Sequence, residues 1–321
     1  MTATALDGQP LDEEQQNDRF TDLLRRLSHQ SVVKHFDAYA DVDWDDPDQV
    51  IDPHDPRWEL DSGSGLARTD WYRSLPAETR ARIGLHGIAS NMKAGLQFEN
   101  VLKRGLLEYA FGLPDGSPEF RYVYHEVIEE AQHSLMFQEF VNRAGLETPG
   151  LPWEMRLGSR RVIGLARRFP AMFFVFVLGG EDPIDHVQRT VLRSGKEIHP
   201  LLERIMRIHV TEEARHLSFA RSYLRTNVPK LPAWRRRAMA MEAPVVLATE
   251  ASVMLRPPRH LVRTYGVPDT VLREAYGPGS QSRQDAKDSL RKVRDLLVEL
   301  GLVTPAAKRL WQRLGIWDEV R

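Results

Sequence analysis

His209, Glu213 and His216 stand at relative positions zero, four and seven within IHVTEEARHLSF, residues 208–219. On a helix turning about 100° per residue, these side chains fall within one arc, so imidazole and carboxylate donors line one face. A second segment, IEEAQHSLMF at 128–137, carries a near copy 83 residues earlier, EEAQH against EEARH. Each copy holds a Glu-x-x-His pair, Glu130 with His133 and Glu213 with His216. Two such pairs, joined by one Glu from each of two other helices, form the donor scheme of carboxylate-held pairs of iron or manganese ions in helical bundles.

The two single carboxylates follow from helical periodicity. Over residues 77–111, Glu99 shares a face with Met92, Gly95, Leu96, Leu102 and Leu106, while Lys103 is directed elsewhere and Glu108 faces nearly the opposite way. A carboxylate inside an apolar stripe is costly unless paired or bound to metal. Glu181 stands in the same position within PAMFFVFVLGGEDPIDHVQRTVL, on a face with Phe174, Val177, Leu178, Ile184 and Gln188, with His186 turned away. Pro183 lacks a backbone donor, so a kink or bulge is expected beside that Glu.

On the 119–143 helix the inward face reads Val123, Glu130, Ser134, Phe137 and Val141, with His133 beside Glu130. Glu126 joins this face and is the expected acceptor for the outer N–H of a bound imidazole. Glu129 is expected to point away. On the 201–226 helix, Glu213 is chosen over Glu212 because the apolar face of Leu202, Met206, Leu217, Ala220 and Leu224 is centred nearer to it. The donor set is therefore Glu99, Glu130, His133, Glu181, His209, Glu213 and His216. Four carboxylates at −4 balance two divalent ions at +4, and mixed oxygen and nitrogen donors suit iron, with manganese as the alternative. Two ferrous ions hold the two electrons that reduce oxygen to the peroxide level. An external electron donor is implied, since no flavin, nicotinamide or thiol motif is present.

The elements that must position these donors predict an all-α protein with a ferritin-like, ribonucleotide-reductase-like helical bundle and extra terminal segments. Three regions are expected: a disordered tail at 1–18, the metal-binding helical domain at 19–258, and a helical extension at 259–321 that caps the bundle or meets a second subunit. Phe20, Leu23, Leu24 and Leu27 place an amphipathic helix at 19–36. The Asp- and Pro-rich stretch 37–65 reads as a wrapping loop anchored by Trp44 and Trp58; it lacks the order of a calcium loop. Pro76 suits a first helical turn, with Ser74 as the cap. Residues 146–158 read as connector, Arg160, Arg161, Arg167 and Arg168 as a solvent- or subunit-facing surface, and 234–255 as a helix interrupted by Pro244.

The chain of 321 residues has no cysteine and a net charge of −1. Disulfides, zinc–thiolate sites, cysteine-ligated clusters and cysteine nucleophiles are excluded. A near-neutral charge argues against nucleic acid. The polar, acidic N-terminus lacks the core of a signal peptide, and no run of about 18 apolar residues predicts a membrane span. A cytoplasmic location is expected.

FEN around Glu99, EEAQH, GGED around Glu181 and HVTEEARH together resemble the p-aminobenzoate N-oxygenase family, the AurF-like non-haem di-iron oxygenases, over about residues 30–255. His209 is the most telling mark, a third histidine one turn before the second carboxylate–histidine pair. The resemblance implies that all seven residues bind iron, that the cofactor is a bridged di-iron centre, and that the assembly is a homodimer. It also implies oxygenation of an aromatic amine to the hydroxylamine and on to the nitro compound, with O2 as co-substrate. Rival readings share the bundle. An acyl-carrier-protein desaturase needs no third histidine ligand. A radical-generating reductase subunit needs a tyrosine near the metals, and Tyr109 and Tyr124 lie off the ligand faces. A ferritin-like store is the non-enzyme alternative.

Overall fold

Four long helices cross one buried polar layer in the computed structural model, which describes residues 13–317. The chain runs through α1 (Glu13–Val33), α2 (Asp70–Ser74), α3 (Ala77–Ala110), α4 (Pro118–Ala144), α5 (Trp153–Arg168), α6 (Pro170–Arg193), α7 (Pro200–Asn227) and α8 (Ala233–Met254). Five shorter helices follow: α9 (Arg259–Thr264), α10 (Asp269–Tyr276), α11 (Gln281–Ser289), α12 (Arg291–Glu299) and α13 (Pro305–Leu314). Among the described residues there is no strand, so the protein is all-α.

α3 packs along α4 and α6 along α7, with α5 lying against α3 and α6. On each core helix the polar residues separate two apolar blocks. α7 carries Leu201, Leu202, Ile205 and Ile208, then His209 to His216, then Leu217, Phe219 and Leu224. α3 repeats that order: Leu85, Ala89 and Met92, then Glu99, then Leu102 and Leu106. α4 runs the other way, from Tyr122 and Val123 through the Glu-rich turns to Met136, Phe137 and Phe140. Two apolar cores thus sandwich the carboxylates and imidazoles, and that sandwich keeps water from them.

Local chemistry sets the ends and the close approaches. The Ser117 hydroxyl accepts the Phe120 N–H at the start of α4, Pro118 fills the first position, and Gly145 at φ 61° ends the helix. At Gly105 and Gly180 a Cβ would overlap the rings of Phe173 and Phe98, so these glycines let α3 and α6 approach closely.

The loop between α1 and α2 wraps the bundle as its composition suggests. Trp58 is fully buried, stacked on His199 at 4.1 Å and edge-on to Phe140 at 5.8 Å. The buried Trp44 donates its ring N–H to the Ala38 carbonyl. At the other end Leu296, Leu297, Leu302 and Trp311 join the main core, so the C-terminal helices cover the bundle of their own chain.

Several local expectations change. The tail expected to be disordered is helical from Glu13 onward, and residues 1–12 of it lie outside the described residues. Ser74 closes α2 by donating to the Trp71 carbonyl and does not cap α3. The connector expected at 146–158 is helical from Trp153; α5 is amphipathic, with all four arginines on its exposed side. α8 continues through Pro244 instead of being interrupted there, packed against α6 and α13; α6 likewise stays helical through Pro183. Residues Ala233–Thr264 are long and apolar enough to cross a bilayer. In this fold α8 packs against α6 and α13.

Candidate metal centre

Glu99 comes from α3, Glu130 and His133 from α4, Glu181 from α6, and His209, Glu213 and His216 from α7; all seven are at most 3% exposed. Their donor atoms fall into three overlapping groups, each within 4.8 Å: Glu99, His133 and His209; Glu130, Glu213 and His216; Glu181, His209 and Glu213. His133 Nδ1 stands 4.0 Å from Glu99 Oε1, 3.4 Å from Glu130 Oε2 and 3.7 Å from Glu213 Oε1. His209 Nε2 is 3.8 Å from both Glu99 Oε1 and Glu213 Oε1. His216 Nδ1 lies 2.9 Å from Glu130 Oε1 and 3.1 Å from Glu213 Oε1.

These spacings fit metal ions. A divalent ion holding nitrogen and oxygen donors at about 2.0–2.2 Å keeps neighbouring donors about 3–4 Å apart. Glu99 Oε2 and Glu213 Oε2 are buried with no hydrogen-bond donor facing them. Buried acceptors of that kind are costly unless a cation satisfies them. Glu130 touches the imidazoles of both halves through its two oxygens.

The electrostatics express the same demand for positive charge. Burial pushes the Glu130 carboxyl up, but hydrogen bonds from His133 and His216 outweigh it and hold it at about 2. Burial opposes charge on His133, yet Glu130 and Glu212 raise it to about 10. Burial opposes charge on His216 too, but Glu213, Glu126, Glu129 and Glu130 hold it well above the ordinary histidine value. His209 has no such close partner, and burial pushes it down to about 4, leaving a neutral imidazole suited to binding a metal. Burial and the neighbouring Glu213 and Glu130 push Glu181 well above the carboxylate range.

The outer nitrogens follow a crossed pattern that periodicity missed. His133 Nε2 meets Glu212 Oε2 at 3.0 Å, and His216 Nε2 meets Glu129 Oε2 at 2.8 Å. The first glutamate of each Glu-Glu doublet serves the histidine of the opposite helix. Arg215 lies between them, 2.8 Å from Glu129 Oε1 and 3.3 Å from Glu212 Oε1. Glu129 therefore does not point away: α7 crosses where an isolated helix would meet solvent. Glu126 is fully buried, but both its oxygens lack hydrogen-bond partners, so it does not hold an imidazole as expected. Burial pushes its carboxyl up to about 7. The signal for Glu129 and Glu212 was the doubling of Glu in both motifs.

Lys103 sits differently from the periodic reading, whereas Tyr109 and Tyr124 lie off the ligand faces as that reading has them. Lys103 turns back to the site, donating to the Glu130 carbonyl oxygen at 3.1 Å and to Ser134 Oγ. Tyr109 donates to Glu119, away from the donors, and Tyr124 is exposed.

A family model described as P-aminobenzoate N-oxygenase AurF matches residues 17–301. An uncharacterised protein of Mycobacterium tuberculosis (strain CDC 1551 / Oshkosh), MT0908, is 41% identical over 293 residues, covering 91% of this chain and 86% of that protein. The uncharacterised proteins Mb0909 of Mycobacterium bovis and Rv0885 of Mycobacterium tuberculosis (strain H37Rv) are each 40% identical over 293 residues, with the same coverage.

Proposed function

The chain belongs to the p-aminobenzoate N-oxygenase AurF family and is a non-haem di-iron oxygenase with a ferritin-like bundle, and from that premise we propose that it oxygenates the nitrogen of a small arylamine. The observation that carries this reading is His209. It adds a third, neutral nitrogen donor to a site that otherwise holds the two Glu-x-x-His pairs common to many di-metal bundles.

In this reading Glu99, His133 and His209 would hold one iron, Glu130, Glu213 and His216 would hold the other, and Glu181 would complete the set. Glu130 and Glu213 each lie near imidazoles of both halves and would be within reach of both ions. Bound there, two ferrous ions supply two electrons for the reduction of oxygen. Glu212 and Glu129 keep the protons of His133 and His216 on Nε2, so the Nδ1 lone pairs face the ions. Arg215 offsets the charge of those two outer carboxylates. The apolar cores on either side exclude water and keep the reaction from wasteful protonation.

The first turnover balances as arylamine, O2, two electrons and two protons giving arylhydroxylamine and water; repetition leads on to the nitro compound. The electron pair comes from an external donor. An exposed apolar stripe of Leu107, Phe111, Tyr124, Ile128 and Leu135 supports a homodimer, and a cytoplasmic setting remains part of the proposal.

The test is iron-loaded, chemically reduced full-length protein given oxygen-18 gas and a panel of arylamines. Arylhydroxylamine or nitroarene carrying the label supports the proposal. Label on ring carbon, desaturation of a carrier-bound acyl chain, or slow growth of ferric mineral each overturns it.

A further inference from the structure

Glu250 on α8 is a buried acid outside the donor set. It is 6% exposed, and both carboxyl oxygens lack a hydrogen-bond partner. No charged side chain faces it; burial alone acts on the group and pushes its carboxyl well above the usual range. A side chain in that state carries an O–H and is a donor in search of an acceptor.

The carboxyl lies directly on the backbone of α6. A Cβ added at Gly179 would overlap Glu250 Oε2 and come within 2.7 Å of Leu247 Cδ2, so only glycine leaves room for it. Four residues on, Pro183 sits inside the same helix. In an α-helix each N–H bonds the carbonyl four residues earlier, and proline has no N–H. The carbonyl that loses its partner to Pro183 is that of Gly179. Glu181 lies between these two residues, on the turn whose hydrogen-bond ladder is broken.

We propose that Glu250 is a positioning residue, donating its carboxyl O–H to the Gly179 carbonyl that Pro183 leaves free and thereby fixing the turn that presents Glu181. Two isolated peculiarities of the chain, an acid in an apolar helix and a proline inside a helix, then satisfy each other. A buried unpaired carbonyl and a buried unpaired acid are each unfavourable, and one hydrogen bond removes both. The functional consequence rests on Glu181 being an iron donor; the hydrogen bond itself does not.

The experiment is a double-mutant cycle on the full chain with Glu250→Leu, Glu250→Gln, Pro183→Ala and the pair Glu250→Leu with Pro183→Ala. Two quantities are read: the urea midpoint of the metal-free protein and ferrous-ion affinity by titration. Glu250→Leu lowers the midpoint and weakens one ferrous site about tenfold, as loss of an outer partner does. Glu250→Gln keeps a donor of the same shape and restores both. In the Pro183→Ala background an N–H again reaches Gly179, so Glu250→Leu costs much less. Equal cost in both backgrounds, or Gln as damaging as Leu, overturns the proposal. If Glu250→Leu does not fold, the cycle is run with Glu250→Gln and Glu250→Ala against Pro183→Ala. Loss of coupling in the metal-free midpoint sinks this inference; a wild-type chain that binds no iron sinks the di-iron reading and leaves the coupling intact.

Discussion

His216 Nε2 and Glu129 Oε2 lie 2.8 Å apart across the α4–α7 interface, and the same bond recurs in mirror order between His133 and Glu212 at 3.0 Å. Each helix thus supplies the carboxylate that orients the other helix's imidazole. The two ligand halves cannot be positioned separately, and Arg215 between the carboxylates ties them together.

Glu129→Gln and Glu212→Gln should each weaken ferrous binding about 10- to 100-fold while leaving the fold intact, because the metal-facing donors remain. Replacing Glu213 should cost more metal than replacing Glu212. Titrating the metal-free variants with ferrous ion checks both; a Glu212 variant that loses more iron than its Glu213 counterpart would overturn the assignment of inner and outer carboxylates.

His209→Ala should lose one of the two ions, or change oxygen reactivity, with helicity retained, since α7 is held by apolar residues on both sides of the site. Elemental analysis with stopped-flow oxygen kinetics decides it. Wild-type stoichiometry together with wild-type kinetics would remove His209 from the donor set.

Arg215→Met should destabilise the metal-free protein by about 3–5 kcal/mol, because two buried carboxylates each lose a charged hydrogen-bond donor and keep one imidazole apiece. Urea unfolding followed by circular dichroism measures the loss. A change within about 1 kcal/mol would mean that Glu129 and Glu212 are satisfied without the guanidinium.

Glu119 gives a pH signature away from the metal donors. Burial raises its carboxyl above the ordinary 4.5, and the hydrogen bond from Tyr109 only partly lowers it. A folded value above the unfolded one means that its contribution is complete below 4.5 and lost as pH rises through the folded value. Glu119→Gln stays neutral, so its melting temperature should gain on wild type as pH rises from about 4 to about 7. Parallel melting curves across that range would contradict the shift.

Gly84→Ala tests the wrapping loop. The added methyl would collide with the Trp58 backbone carbonyl, which cannot swing aside as a side chain can, and about 1–3 kcal/mol of stability should go. Thermal unfolding that matches wild type would show that the loop can lift from α3.

The helical character of the chain, its apolar faces and the seven residues on the donor arcs are legible in the residues alone, because period and side-chain type are local properties of one helix. His209 was legible for the same reason, lying one turn from Glu213 on the same arc. What each residue meets across an interface depends on how the helices pack. Glu129 lies about 100° round from Glu130, a direction that means solvent on an isolated helix and means His216 once α7 crosses there. The helical angle of Lys103 directs it away from the donors, yet its long flexible stem lets the ammonium reach the Glu130 carbonyl. Glu126 shares the inward face but bonds no imidazole nitrogen, because the outer nitrogens are taken by Glu129 of its own helix and by Glu212 of α7. A helical wheel gives direction alone; a hydrogen bond also needs a partner at the right distance, and that partner is set by how the helices pack.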